Sequence, residues 1–497
     1  MADGAADGSA IGMTQTSLHR RALLAAAGLA LPTLAFAQTS APATSATQAG
    51  PIRFKGWRGT DKDAERGFFE VPEDRRDPGS RKIRLSYVRF ASTAAKPGPP
   101  IIYLAGGPGG TATRAAGGPR FPIFMALREV ADVIAFDQRG TGLSNAIPER
   151  PASTRPPPVF TEAGLSAYFR QDFQEAWADW TKAGVAMTGY NTEQNADDID
   201  DLRRHLGAEK VALWGISYGT HLALSMLKRH GDRVSRVALA SLEGQDQTVK
   251  RPAAIDALLR QVDGLLAADP AVRAAIPDLP ALMRRVHAKL EAAPVSLTAT
   301  LNGAPVDLRI GGFAIQLMTG GLIANPQTLV MLPGLYLALD AGQTEVLTPF
   351  ANEFAGLLGI AGMPETTDLA SGISPERLAL VRREAKTAVL GAALNFPMPQ
   401  LLGAVPGVDL GEGFRAPLRI DHPALLVAGT LDGRTPMPEQ DEVAAQFRRK
   451  SRVIVENAGH NVFEAHPDVQ GLLVRFFRGE AVADTRLSLP PPQFKLA

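Results

Sequence analysis

The sequence predicts an α/β fold: a mostly parallel β-sheet covered by helices on both faces, with an inserted, mainly helical cap domain. Short apolar runs without alternation separate helical patterns, which is typical of strands buried on both faces. From about residue 245 to 415, amphipathic helical segments replace this alternation, and the strand pattern resumes near residue 424. The apolar runs lie at 101–104, 133–136, 211–214, 237–240, 424–429 and 452–456.

Length and composition are those of a large globular protein. The chain has 497 residues, 45% of them hydrophobic and 21% charged, which allows two structural units. Its 52 Lys and Arg against 51 Asp and Glu give a net charge of +1, which argues against a broad basic surface for nucleic acid. The absence of cysteine excludes disulfides, thiolate metal sites and a cysteine nucleophile.

The N-terminus has the pattern of an export signal. Arg20 and Arg21 precede an apolar run at 22–37 that ends in Ala-Phe-Ala before Gln38. The run contains Pro32 and is shorter than the ~20 apolar residues that a membrane helix needs. We therefore expect a signal peptide at 1–37, a flexible leader at 38–50 and a periplasmic or secreted protein without a membrane anchor. The general and twin-arginine export routes both remain open.

A glycine-rich loop follows the strand at 101–104. It contains Gly106, Gly107, Gly109 and Gly110 around Pro108, and its bare backbone amides suit the stabilisation of an oxyanion. Gly107 is the expected donor and Gly106 the alternative. The next strand ends in the loop 137–144, whose charged residues we expect to hold this region by hydrogen bonds.

The stretch 210–227 predicts a nucleophile elbow. An apolar strand enters the turn Gly-Ile-Ser-Tyr-Gly and leaves as a helix, so Ser217 lies at the bend between Gly215 and Gly219. Glycine suits both flanking positions because neighbouring backbones pass close there. The same geometry directs the N–H of Tyr218 toward a carbonyl under attack.

Two further candidate residues follow later strands. Asp432 comes just after the strand at 424–429, and His460 follows the strand at 452–456. The chain order Ser, Asp, His is the one that this architecture requires. No histidine pair has metal-binding spacing, so neither a metal nor another cofactor is expected. The sequence thus divides into a first core part (51–244), a cap (245–415), a second core part (416–480) and a Pro-rich tail (481–497).

With these motifs in view, the chain resembles the proline iminopeptidase and tripeptidyl aminopeptidase family of α/β-hydrolases. The matching stretches are 106–110, 137–142, 215–220, 429–432 and 458–460. The resemblance implies an α/β-hydrolase fold and serine hydrolysis through an acyl-enzyme.

Some positions depart from the family pattern. Ala105 stands where a histidine is frequent, and the residues 394–397 lack the cysteine and aspartate of tripeptidyl members. Aminopeptidases of the family bind the substrate's free amine with acidic side chains near the cap, and Glu243 is the candidate here.

The predicted function is hydrolysis of amide bonds at the free N-terminus of short peptides. Ser217 would attack, His460 would transfer the proton, and Asp432 would orient the imidazole. An esterase or amidase for small acyl compounds remains the alternative. An inactive binding protein of the same fold would be expected to have lost one of these three residues, and all are present.

Overall fold

The computed structural model describes residues 48–150, 155–301, 303–494 and 496. The predicted signal peptide and the leader up to residue 47 lie outside these ranges. Among the residues described, none of the helices has the length and apolar character to cross a bilayer.

Thirteen strands are present in the described residues. They form a ten-stranded sheet in the order β1-β2-β3-β5-β4-β7-β8-β11-β12-β13 and a small sheet in the order β6-β10-β9. Their bounds are Gly50–Phe54 (β1), Lys62–Pro72 (β2), Lys82–Phe90 (β3), Ile101–Leu104 (β4), Val133–Asp137 (β5), Val159–Phe160 (β6), Val211–Ile216 (β7), Val234–Ala240 (β8), Val295–Leu301 (β9), Ala304–Ile310 (β10), Ala424–Gly429 (β11), Lys450–Glu456 (β12) and Thr485–Ser488 (β13).

The helices fall into those that cover the large sheet and those of the cap. In chain order they are Ala112–Gly117 (α1), Phe121–Leu127 (α2), Glu162–Lys182 (α3), Thr192–His205 (α4), Tyr218–His230 (α5), Pro252–Leu266 (α6), Pro270–Ala275 (α7), Leu279–Ala292 (α8), Gly312–Leu322 (α9), Pro326–Leu329 (α10), Leu332–Asp340 (α11), Ala351–Gly356 (α12), Met363–Ser371 (α13), Pro375–Ala385 (α14), Gly411–Arg415 (α15), Met437–Ala444 (α16) and Pro467–Arg478 (α17).

The large sheet is antiparallel from β1 through β3 to β5 and parallel from β5 onward. Successive side chains of β5 enter opposite cores: Val133 packs with α1, α2 and α17, whereas Ile134 packs with α4, α5 and α16. A strand buried on both faces cannot alternate apolar with polar residues, which explains the continuous apolar runs. The predicted mostly parallel sheet with helices on both faces is confirmed.

The cap has a hydrophobic core of its own. Leu259 of α6, Met283 of α8 and Tyr336 of α11 are fully or almost fully buried in one cluster. Strands β9 and β10 pair antiparallel, with Leu301 opposite Ala304.

Two segments differ from the sequence-based division. Residues 159–173 were assigned to the first core part, yet β6 pairs with β10 and Phe169 of α3 packs in the core of the cap. The apolar spacing of α3 identifies a buried face but not its partner. Residues 485–488 were assigned to the tail and instead add β13 to the large sheet, parallel to β12.

Candidate active site

Ser217 occupies the sharp turn between β7 and α5. Its backbone has φ 56° and ψ −129°, a conformation that residues with a Cβ rarely adopt. A Cβ on Gly215 would lie 2.7 Å from the carbonyl oxygen of Gly219, and one on Gly219 would clash with the carbonyl oxygen of Leu104. The N–H of Ser217 donates to Ala240 O of β8 (3.1 Å). These contacts give Ser217 the backbone geometry of a nucleophile elbow.

The glycine-rich loop after β4 passes directly against Ser217. A Cβ on Gly106 would lie 2.9 Å from Ser217 Cβ and 2.9 Å from Ile216 O, so only glycine allows this approach. The loop is closed by the N–H of Gly110, which donates to Gly106 O (3.0 Å). Within the described residues, the N–H groups of Gly107 and Tyr218 donate no recorded hydrogen bond. Both amides are therefore available to a ligand beside Ser217.

Asp432 and His460 form a hydrogen-bonded pair on the loops after β11 and β12. His460 Nδ1 lies 2.9 Å from Asp432 Oδ1 and 3.0 Å from Oδ2. Asp432 is buried and also accepts from the N–H and the Oγ1 of Thr435 (2.9 and 2.8 Å). Burial alone would raise the pKa of Asp432, but His460 and the hydrogen bonds from Thr435 outweigh it, so the pKa lies below its ordinary value. Asp432 is thus held as a carboxylate against the imidazole.

The Asp432–His460 pair and Ser217 lie at the same edge of the large sheet, and residues at the end of β8 contact both. Ala240 O accepts the N–H of Ser217, and the next residue, Ser241, donates its Oγ to His460 O (2.8 Å). Within the described residues, no hydrogen bond joins Ser217 Oγ to His460. Such contacts are frequently long in unliganded enzymes and tighten on substrate binding.

The cap contacts the His460 loop directly. The N–H of His460 donates to Ala324 O (2.8 Å), and the N–H of Asn461 donates to Asn325 Oδ1 (2.9 Å). A Cβ on Gly459 would lie 2.6 Å from Ala324 O. Sequence reasoning did not find Ala324 and Asn325, because they lie more than a hundred residues away in the chain. Gly459 is the sequence feature that could have indicated this contact, because its lack of a side chain lets the backbone of the cap come close.

The loop after β5 supports the site by hydrogen bonds, as its charged residues suggested. Asp137 accepts from the N–H and the Oγ1 of Thr113 (3.0 and 2.8 Å). Gln138 Nε2 donates to Ala105 O at the start of the glycine-rich loop (3.1 Å). Arg139 and Asp198 form a fully buried ion pair (2.7 Å). These contacts hold the loop after β5 and the start of the glycine-rich loop in place beside Ser217.

Two acids lie where the core meets the cap. Glu243, after β8, is buried and accepts from Lys250 Nζ (2.8 Å). Asp368, on α13 of the cap, has no hydrogen-bond partner for its carboxylate among the described residues. Burial, with the nearby charge of Glu243, raises the pKa of Asp368 well above its ordinary value. The N–H of Glu243 donates to Thr220 Oγ1 of α5 (2.8 Å), and Ser371 Oγ at the end of α13 lies 3.0 Å from His221 Nε2 of α5, so the segments of both acids lie beside the elbow.

Comparison with known families agrees with this architecture. A family model for the alpha/beta hydrolase fold matches residues 99–292. A second model, described as a TAP-like protein, matches residues 412–485. The first match contains the glycine-rich loop and Ser217, and the second contains Asp432 and His460.

The chain is similar to several known proteins. It is 28% identical over 197 residues to a tripeptidyl aminopeptidase of Streptomyces lividans, covering 36% of each chain. It is 28% identical over 206 residues to the serine protease Hip1 of Mycobacterium tuberculosis, covering 40% of this chain and 38% of that protein. The matches therefore span little more than a third of these relatives. Among solved structures, an esterase from Thermogutta terrifontis is 17% identical with a TM-score of 0.36, covering 83% of this chain and 98% of the esterase.

Proposed function

Because the chain is a hydrolase of the α/β-hydrolase family with a TAP-like C-terminal part, we propose that it is a serine hydrolase that releases residues from the free N-terminus of short peptides. The observation that carries this proposal is the pair of acids beside the elbow of Ser217, the buried Glu243 and the half-buried Asp368. The cap over this region favours small molecules or chain ends over folded proteins.

The chemistry follows from the positions of three side chains. Ser217 Oγ attacks the scissile carbonyl carbon while His460 Nε2 takes its proton, and the oxyanion accepts from the N–H groups of Tyr218 and Gly107. His460 then gives the proton to the leaving amine, and an acyl-enzyme remains on Ser217. Water, deprotonated by His460, releases the acyl group and restores Ser217. Asp432 holds Nδ1–H of the imidazole and stabilises its charged form.

Asp368 is suited to bind the substrate's ammonium group. Asp368 is half-buried and its carboxyl has no partner in the described part of the chain, so removal from water and the nearby charge of Glu243 make it costly to ionise and raise its pKa. An arriving ammonium ion supplies the missing positive charge and favours the carboxylate. Losing such a buried charged contact costs roughly 2–5 kcal/mol, or about 30-fold or more in rate.

The ion pair of Glu243 favours the alternative function, that of an esterase or amidase. Its carboxylate already pairs with Lys250 Nζ, so part of the acidic charge is neutralised before any substrate binds. An esterase or amidase for small acyl compounds, without need of a free amine, would use the same Ser217 chemistry.

The test compares a short peptide anilide with a free N-terminus and its acetylated copy. We expect the free peptide to react at least 30-fold faster in kcat/KM and Asp368→Asn and Glu243→Gln to reduce this ratio. Glu376→Gln, an exposed acid of α14, is the matched control and should keep it. Equal rates on both peptides, or turnover of simple acyl esters alone, would leave the esterase or amidase function.

We also propose that the protein is exported, on the basis of Arg20, Arg21 and the apolar run at 22–37. Mass spectrometry of the envelope fraction should find a mature N-terminus near Gln38. A chain that retains the residues before Gln38 would contradict cleavage at this position.

A further inference from the structure

Arg434 is a half-buried arginine whose guanidinium has no hydrogen-bond or ion-pair partner among the described residues. Its backbone N–H donates to Asp432 Oδ1 (2.8 Å), so its position is tied to that of the Asp432–His460 pair. A Cβ on the preceding Gly433 would clash with Ile323 O of the cap, so this loop lies against the cap. The Arg434 side chain is half-buried, so its guanidinium remains accessible beside this contact between core and cap.

Three buried or largely buried arginines of this protein have acidic partners. Arg139 pairs with Asp198, Arg377 pairs with Glu439, and Arg415 pairs with Asp409. A guanidinium carries five donors and is not deprotonated in proteins, so withdrawing part of one from water without a partner has a cost. Arg434 lacks an acidic partner of this kind within the described ranges, which leaves its donors open to a ligand.

The acids near Arg434 do not neutralise it by contact. Glu243, Asp432 and Asp368 are close enough for their charges to act on it. Asp432 is occupied by His460 and Thr435, Glu243 is paired with Lys250, and burial favours the protonated form of Asp368. Burial lowers the pKa of Arg434 despite these acids, which means that its positive charge is incompletely compensated.

We propose that Arg434 binds a carboxylate on the acyl part of the substrate. The enzyme would then prefer peptides whose acyl part contains an acidic side chain, or esters of dicarboxylic acids. The acyl side is indicated because Gln440 joins the segments of Glu243 and Arg434: it accepts from the N–H of Leu242 (3.3 Å) and donates to Thr435 O (2.6 Å). Glu243 belongs to the proposed site for the amine, and the amine of an aminopeptidase substrate belongs to the acyl part. A planar guanidinium matches a carboxylate with two parallel hydrogen bonds. This inference rests on the proposed function of Ser217.

The test uses pairs of substrates that differ in one carboxylate. These are the α-linked 4-nitroanilides of glutamate and glutamine, and the 4-nitrophenyl monoesters of glutaric acid and pentanoic acid, corrected for spontaneous hydrolysis. We expect the acidic member of each pair to have the higher kcat/KM, by about tenfold to a hundredfold. Arg434→Met should remove this preference and Arg434→Lys should keep part of it. Arg419→Met, an exposed arginine, should retain the wild-type ratio.

The two proposals fail in different ways. If the esters react and the anilides do not, the aminopeptidase proposal is wrong and the ester pair alone decides the role of Arg434. If no substrate reacts, calorimetric binding of glutarate to Ser217→Ala and to Ser217→Ala with Arg434→Met decides it. Ratios or glutarate affinities that are the same with arginine and with methionine at position 434 would overturn the inference.

Discussion

Ser217 has a backbone conformation that costs stability, so glycine at this position should make the protein more stable than alanine does. The conformation, with φ 56° and ψ −129°, is open to glycine but strained for a residue with a Cβ. Ser217→Ala keeps the Cβ and therefore the strain, whereas Ser217→Gly removes it. Both variants lose the nucleophile, so the comparison isolates the backbone.

The expected difference in stability between the two variants is the sum of two opposing contributions. Relief of backbone strain contributes roughly 1–3 kcal/mol, and the greater freedom of glycine in the unfolded chain subtracts roughly 0.5–1 kcal/mol. The side chain of Ser217 forms no capping hydrogen bond with α5, so its removal adds little. Ser217→Gly should therefore be more stable than Ser217→Ala by about 1 kcal/mol, with an upper value near ~2.5 kcal/mol.

Urea unfolding of the two variants side by side measures this difference. At equal slope, the midpoint for glycine should be higher by a few tenths of a molar, since slopes are about 1–3 kcal/mol/M or more for chains of increasing size. Neither variant should hydrolyse anilides or esters above about 10⁻⁴ of the wild-type kcat. A glycine variant that is no more stable than the alanine variant would refute the elbow as a site of stored strain.

Three further results are expected. His460→Ala and Asp432→Asn should each lower kcat by several orders of magnitude, on the order of 10⁴, and near-normal turnover by either variant in a steady-state assay would exclude the proposed roles. Activity should fall on acidification, because His460 must be neutral to accept a proton while Asp432, whose pKa is lowered, stays charged; a pH profile that rises toward acid would contradict this. Gly459→Ala should destabilise the protein by roughly 1–3 kcal/mol by clashing with Ala324 O, whereas Gly471→Ala, in an open helical position, should stabilise it slightly in the same unfolding assay.

Local pattern was sufficient for the architecture and for the candidate residues. The uninterrupted apolar runs indicated a sheet buried on both faces, because such a strand contributes side chains to the hydrophobic core on each face. Gly215 and Gly219 around Ser217 indicated a bend with close backbones, and the glycines at 106–110 indicated a loop close to the elbow. Asp432 and His460 were identified by their positions after strands, since the carboxyl ends of parallel strands meet at one edge.

Long-range packing was decided only by the tertiary structure. His287 of α8 is buried against Tyr336, with 2.7 Å between Nε2 and the hydroxyl oxygen, and no local pattern indicates this partner. The apolar face of α3 was visible in the sequence, but its partner proved to be the cap.

The same holds for the charges around the elbow. In sequence, Arg434 and Asp368 are ordinary charged residues, and Glu243 carries no sign that Lys250 neutralises it. Periodicity reports which face of an element is buried, because burial repeats with the local geometry. Periodicity does not indicate which distant side chain packs against that face. Whether each of these charges has a partner was therefore set by the way the cap meets the core.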